Sequence, residues 1–211
     1  DKARSILSKL YEPFTGQKSP IFFMDERSSE MTKYAANAFL ATKISFMNEM
    51  ANIAELAGAD IDSIRLGIGS DARIGNRFLF PGIGFGGSCF PKDISALEKT
   101  ANDVGYDFKI LQAVMDVNNY QKQVLYKRLS KHFGNNLEGK KFALWGIAFK
   151  PDTDDIREAP ALYLINDLVK AGAKVTAYDP EAGNNTRRLY EDSGDVTILD
   201  DEYEGLDGAD A

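Results

Sequence analysis

The run Gly84-Phe85-Gly86-Gly87-Ser88-Cys89-Phe90-Pro91-Lys92-Asp93 gathers more chemistry than any other stretch of this 211-residue sequence. Glycines at 84, 86 and 87 let the backbone come close to a ligand, and Pro91 fixes the start of a helix with Cys89 at its positive N-terminal mouth. The helix end and the neighbouring Lys92 both favour thiolate over thiol, the form a cysteine nucleophile needs. Asp93 adds a carboxylate at the same place. The pattern points to covalent chemistry on Cys89 rather than to a packed structural cysteine. The one histidine, His132, falls near the end of a helix more than forty residues downstream, where a His is a solvated helix-end charge, which argues against a Cys–His hydrolase.

A second pair, Lys33 and Asn37, is spaced i and i+4 and shares one helix face, hemmed by Tyr34, Ala35, Ala36 and Phe39. Two readings stand side by side: a lysine snorkelling at a helix start, or an amine and an amide held in an apolar setting.

The elements that position these residues follow from periodicity. Residues 3–13 are helical in spacing, and Pro20–Met24 is strand-like, resembling the last helix and strand of an α/β domain. Ser28 or Ser29 can cap a long helix over 29–57, with Glu30 in its first turn and Gly58 ending it; its broad apolar face predicts that most of it is buried. A short helix near Ile61–Gly69 precedes a loop from Ser70 to Ser88 that is too long and too rich in Gly to be a plain connector. Pro91 opens the next helix, which stops near Gly105. Asp107 can open a further helix running to Gly134, about 40 Å long and able to join two domains or two subunits.

From Lys141 the period changes. Strands at 141–148 and 174–178 flank a helix at 159–171, and a helix near Thr186–Asp192 and a strand at Val196–Leu199 extend the alternation, so a parallel sheet covered by helices begins near residue 138. The fold class is α/β with an all-helical middle: the end of a Rossmann domain (1–28), a helical dimerisation region carrying the Cys loop and a long connecting helix (29–134), and a partial Rossmann-like parallel-sheet domain (138–211). The apolar helices 29–57 and 107–133 carry more hydrophobic surface than one helical layer hides, which predicts a homodimer.

Composition narrows the function. Twenty-five Lys and Arg against thirty-two Asp and Glu give a net charge of −7, which supplies no global field for a phosphate backbone and argues against nucleic acid. One Cys forbids an intrachain disulfide, and one Cys with one His cannot make an ordinary zinc site, so no metal is expected. No run of 18 apolar residues appears and the first residues do not read as a signal peptide; the expectation is a cytoplasmic protein with no membrane partner. Both ends read as cut from a longer chain.

Together, Lys33–Ala41, the Gly84–Asp93 run and Gly146-Ile147-Ala148-Phe149-Lys150 with Arg157 resemble, in order and spacing, the signatures of the nucleotide-sugar dehydrogenases, in the form of the UDP-glucose 6-dehydrogenase branch rather than the GDP-mannose one. The resemblance covers nearly the whole chain. It implies a two-step, NAD-dependent oxidation of UDP-glucose to UDP-glucuronate. Cys89 would attack the C6 aldehyde, and oxidation of the thiohemiacetal would leave a thioester. Lys33 would stabilise the oxyanion, Asn37 would help place the sugar, and Asp93 would support activation of the releasing water. It further implies that Lys92 and Arg157 contact NAD, that Lys150 and the Phe78–Gly86 loop, with Phe78, Leu79 and Gly86, hold UDP-glucose, and that Arg73 reaches the substrate of a neighbouring subunit.

The sequence departs from the family in one respect: no Gly-x-Gly-x-x-Gly run links a strand to a helix, the fingerprint a dinucleotide site requires. Most of the family's N-terminal NAD domain is therefore expected to be missing, and the fragment alone to be inactive. The alternatives are a sister dehydrogenase acting on GDP-mannose or a UDP-N-acetylhexosamine, and a non-catalytic dimerising module that binds a nucleotide sugar.

Overall fold

The computed structural model describes residues 2–15 and 21–211. Helix α1 (Lys2–Thr15) buries none of its residues. Ile21–Met24 forms no strand, because a strand needs a neighbour to bond and the described residues offer none there; Pro20 lies outside them. Helix α2 (Glu26–Ala57) is capped by Asp25, whose carboxylate accepts from Ser28 N–H at 3.0 Å, so Ser28, Ser29 and Glu30 fall inside the helix rather than at its start. A carboxylate ahead of the expected serines satisfies an orphan N–H and meets the positive end of the helix, which extends it by one turn. Gly58, at φ 71°, closes it.

Helices α3 (Ile61–Gly69), α4 (Phe90–Asp103) and α5 (Lys109–Gln121) pack against one side of α2. Ala38 and Ala41 of α2, Phe85, Ile94 and Leu97 around α4, and Leu111 and Val114 of α5 make one core. The expected burial of most of α2 does not hold. Phe39, Phe46, Ile53 and Leu56 are exposed, because three helices cover a single side of a 32-residue rod.

The helix expected from Asp107 to Gly134 is broken in two: α5 ends at Gln121 and α6 (Val124–His132) starts after a turn at Lys122–Gln123. The break falls where the Gly82–Phe85 loop presses on the helix. Gln121 Nε2 donates to the Gly82 carbonyl at 2.7 Å, and the Asn118 amide both accepts from Phe85 N–H at 2.7 Å and donates to its carbonyl at 3.1 Å. Side chains bound to a passing loop replace a continuous helical stripe.

Strands β1 (Lys141–Trp145), β2 (Lys174–Tyr178) and β3 (Val196–Ile198) form one parallel sheet in the order β1-β2-β3, with helix α7 (Pro160–Lys170) as the first crossover. Phe142, Ile147, Leu164, Ile165, Leu168 and Val175 build its core. Backbone bonds from Asp210 N–H to the Lys141 carbonyl and from Ala143 N–H to the Ala211 carbonyl lay the chain end along the free edge of β1.

Asp179 ties this half together. Its carboxylate accepts from Ile147 and Ala148 N–H on one oxygen and from Glu181 and Ala182 N–H on the other, at 2.7–2.9 Å. Helix α8 follows at Gly183–Leu189, three residues earlier at each end than the expected Thr186–Asp192. Asp179→Ala is expected to lower unfolding stability by about 3 kcal/mol, since it orphans several backbone donors, two of them on buried residues. Urea unfolding of the variant against the parent checks it.

Candidate active site

The sequence-selected residues from α2 and α4 meet on one buried carboxylate. Asp93, in the first turn of α4, is 0 % exposed. Its Oδ2 accepts from Lys33 Nζ at 2.5 Å and from Asn37 Nδ2 at 2.6 Å, and Lys92 Nζ lies 2.8 Å from Oδ1 in an ion pair off the hydrogen-bond axis. The i, i+4 spacing of Lys33 and Asn37 is what allows both to reach the same oxygen. Burial pushes the Asp93 carboxyl up, but the bonds from Lys33 and Asn37 and the ion pair with Lys92 outweigh it and hold it at about 2. The same contact pushes the Lys92 ammonium up. Lys33 is ion-paired with the buried carboxylate while its own side chain is 61 % exposed, so the expected apolar setting around the amine is not what the structure shows.

Cys89 is the residue before α4, exposed, with its carbonyl accepting from Asp93 N–H at 2.9 Å and its Sγ 3.9 Å from Ser88 Oγ. It lies within electrostatic reach of both Lys92 and Arg157. Cys89 therefore stands at a helix N-terminus, four residues before the carboxylate that Lys33 and Asn37 meet.

The glycine loop is clamped from below. Asn48 Oδ1 accepts from Gly82 N–H at 2.8 Å, and Asn118 and Gln121 hold Phe85 and Gly82 as described. From above, Gly87 N–H donates to the Arg157 carbonyl at 2.8 Å. A Cβ at Gly86 would overlap the Glu158 carbonyl, and one at Gly87 the Phe149 ring, so both positions require glycine for close approach. Phe78 and Phe85 both contact the Phe90 ring, 6.3 and 5.6 Å between centroids.

The remaining expected residues are spread around this centre. Arg157 forms a forked pair with Asp155 at 2.7–2.9 Å, which holds the Asp155 carboxyl at about 2. Lys150 lies 5.3 Å from the Phe149 ring centre and borders a cleft of about 510 Å³ at the C-terminal ends of β1 and β2, lined also by Gly146, Ala148, Pro151 and Asp179. Ligands bind open α/β sheets at this end. Leu79 is buried. Arg73 is exposed and paired with Asp71 at 2.6 Å, away from the Asp93 cluster in its contacts. His132 packs edge-on against Phe133. Among the described residues no group of His, Cys, Asp and Glu gathers that could hold a metal, and no helix is long and apolar enough to cross a membrane.

Sequence reasoning missed the clamp. Leu111, Val114, Asn118 and Gln121 share one helical face and are all buried, so two amides sit where apolar residues should continue. That mismatch was a signal available in the sequence. Lys122, Glu158 and Tyr163 were missed too. Lys122 is buried, 3.4 Å from Glu158 and 4.0 Å from the Tyr163 ring centre. Burial pushes it down against the pull of Glu158. Tyr163 donates to Glu158 at 2.5 Å, and that bond pushes the phenol up to about 12.

Comparison with known proteins gives a consistent picture. The UDP-glucose/GDP-mannose dehydrogenase family, central domain, matches residues 27–120, and that family's UDP binding domain matches residues 143–211. A UDP-glucose 6-dehydrogenase of Pseudomonas aeruginosa is 47 % identical over 100 % of this chain and 47 % of its own length. The structure of a UDP-glucose dehydrogenase from Pyrobaculum islandicum superposes with a TM-score of 0.91 at 36 % identity, over 99 % of this chain and 47 % of that one. A UDP-D-ManNAc dehydrogenase from Pyrococcus horikoshii gives 0.71 at 30 % identity, over 85 % and 42 %. The chain thus spans about half the length of the relatives it matches.

The depressed Asp93 carboxyl has a signed consequence. Its folded value, about 2, lies below the ordinary 3.8, so it contributes stability above pH 3.8 that is lost as pH falls towards 2. Unfolding curves between pH 5 and pH 2 should therefore fall less steeply for Asp93→Asn than for the parent, and parallel curves would contradict the assignment.

Proposed function

Since the chain belongs to the UDP-glucose/GDP-mannose dehydrogenase family, we propose that it carries the thiol and the UDP-sugar side of an NAD-dependent, four-electron oxidation of UDP-glucose to UDP-glucuronate. The observation that carries this reading is Cys89 at the mouth of α4, the helix whose first turn sets Asp93 against Lys33, Asn37 and Lys92. In this reading residues 1–28 end a dinucleotide-binding domain, 29–134 form the central region, and 138–211 bind UDP.

The Cys89 thiolate adds to the C6 aldehyde of the sugar, and the new C–S bond leaves an oxyanion that the Lys33 ammonium and the Asn37 amide stabilise. Loss of a second hydride turns the thiohemiacetal into a thioester. Water then cleaves the C–S bond, releasing the carboxylate and restoring the thiol. A carboxylate held at about 2 is too weak a base to take the proton of that water at neutral pH. Asp93 therefore supports the release step by holding the Lys33 amine and the Asn37 amide in place.

NAD, when bound, accepts the hydride of each two-electron step. Lys92 and Arg157 are the residues of this chain that would meet it; their largely exposed cations beside Cys89 suit a pyrophosphate or a carboxamide. Lys150 and the cleft beyond β1 suit the UDP diphosphate, with backbone N–H groups of the Phe78–Gly86 loop toward the sugar. Arg73, exposed on its own loop, suits a neighbouring subunit's substrate. The stripe Phe39, Phe46 and Ile53, spaced by seven along α2 and exposed, supports a homodimer. A cytoplasmic setting accords with a single exposed thiol.

Calorimetry with UDP-glucose, combined with iodoacetamide alkylation of Cys89, tests the reading. Binding, with alkylation slowed about tenfold or more by saturating sugar nucleotide, is the expected result. A tighter fit to GDP-mannose or a UDP-N-acetylhexosamine would reassign the substrate, and binding without protection of Cys89 would remove the thiol from the site. For the dimer, light scattering should give twice the chain mass for the parent and one chain mass for Phe46→Glu; a monomeric parent would overturn it.

A further inference from the structure

Lys122 is a buried lysine that the mechanism above leaves unused. Its side chain is 6 % exposed and sits in the turn that breaks α5 from α6. Its stem lies against Gly84: a Cβ built there, at φ 104°, would come within 3.1 Å of Lys122 Cγ. Its ammonium pairs with Glu158 and covers the Tyr163 ring. Glu158 itself holds a left-handed φ of 52°, unusual for a residue with a side chain, and costs energy that its surroundings must offset. The Glu158 carbonyl is the atom against which Gly86 packs, and the preceding carbonyl, of Arg157, accepts from Gly87 N–H. One cation thus touches the glycine loop with its stem and the 157–158 segment with its head.

We propose that Lys122 and Glu158 are positioning residues, whose ion pair, buried at the lysine and half-exposed at the carboxylate, docks the Arg157–Glu158 segment on the glycine loop and so holds the Arg157 guanidinium within electrostatic reach of Cys89. The Tyr163 hydroxyl, donating to the same Glu158 oxygen, fixes the carboxylate from its other side. A neutral residue at 122 would leave Glu158 without its counter-charge, removing the force that holds the strained turn closed. This inference rests on the reading of Cys89 as the nucleophile, but its test needs neither UDP-glucose nor NAD.

The local field at Cys89 can be read from the ratio of its alkylation rates by iodoacetate, an anion, and iodoacetamide, its neutral counterpart, because thiolate fraction and access affect both alike. The ratio should fall about threefold in Lys122→Met and in Glu158→Ala as Arg157 moves away. Amide exchange at Gly87 should quicken about tenfold in the same variants. Lys122→Arg should keep both at the parent value. Glu158→Ala separates docking from bare charge: deleting an anion alone raises the ratio, whereas undocking lowers it. A ratio that rises or stays unchanged in Glu158→Ala would overturn the proposal, as would unchanged Gly87 exchange. If Lys122→Met does not fold, Glu158→Ala decides alone, since its side chain is half-exposed. A parent chain that binds no UDP-glucose would sink the dehydrogenase reading and leave this measurement intact.

Discussion

A carboxylate with no exposure to water is tolerated only when cations and donors replace its hydration, and Asp93 obtains them from two helices at once. Lys33 and Asn37 come from α2; Lys92 and Asp93 itself come from α4. The need to neutralise one charge therefore fixes the crossing of these two helices and, through the first turn of α4, the place of Cys89. The thiol is exposed while the group that organises its surroundings is buried. The place of the thiol at the surface is set by an electrostatic constraint beneath it.

The glycine loop extends the same logic to backbone groups. Between α2 and α5 on one side and the 157–158 segment on the other, it has no regular partners for its N–H and C=O groups, so amide side chains supply them. Glycine is required where these layers close: Gly86 and Gly87 face atoms that any Cβ would meet. A loop held so tightly keeps its backbone shape before a ligand arrives, which reduces the ordering cost of binding.

Much of this was legible in the sequence, for identifiable reasons. The strand at 174–178 and the helix read at 159–171 stood out because apolar periodicity, a Pro start and a Gly stop agreed, whereas the strand read at 141–148 ends at Trp145, ahead of Gly146 at φ 86°. The grouping of Cys89, Lys92 and Asp93 was readable because the three are local to one helix start. What escaped was non-local. The cap falls on Asp25, ahead of the serines, and the break after Gln121 falls where a loop from more than thirty residues earlier in the chain binds Gln121 and Asn118. The partnership of Lys122 with Glu158 joins residues 36 positions apart. Periodicity identifies which side chains are buried along an element, but not which distant group meets them.

Helix α2 carries both the Lys33–Asn37 pair and the Asn48 clamp on the loop. Asn37 and Asn48 are eleven residues apart, which at 100° per residue is three turns plus about 20°, so they share a face roughly 16 Å apart. The helix acts as a ruler whose graduations are set by residue count. One inserted residue between these two asparagines would rotate one of them by about 100° and take either the carboxylate cluster or the loop out of alignment. Substitutions along this stretch can be absorbed one at a time, but a change in its length cannot, so the spacing of the two centres is written into the chain as an integer.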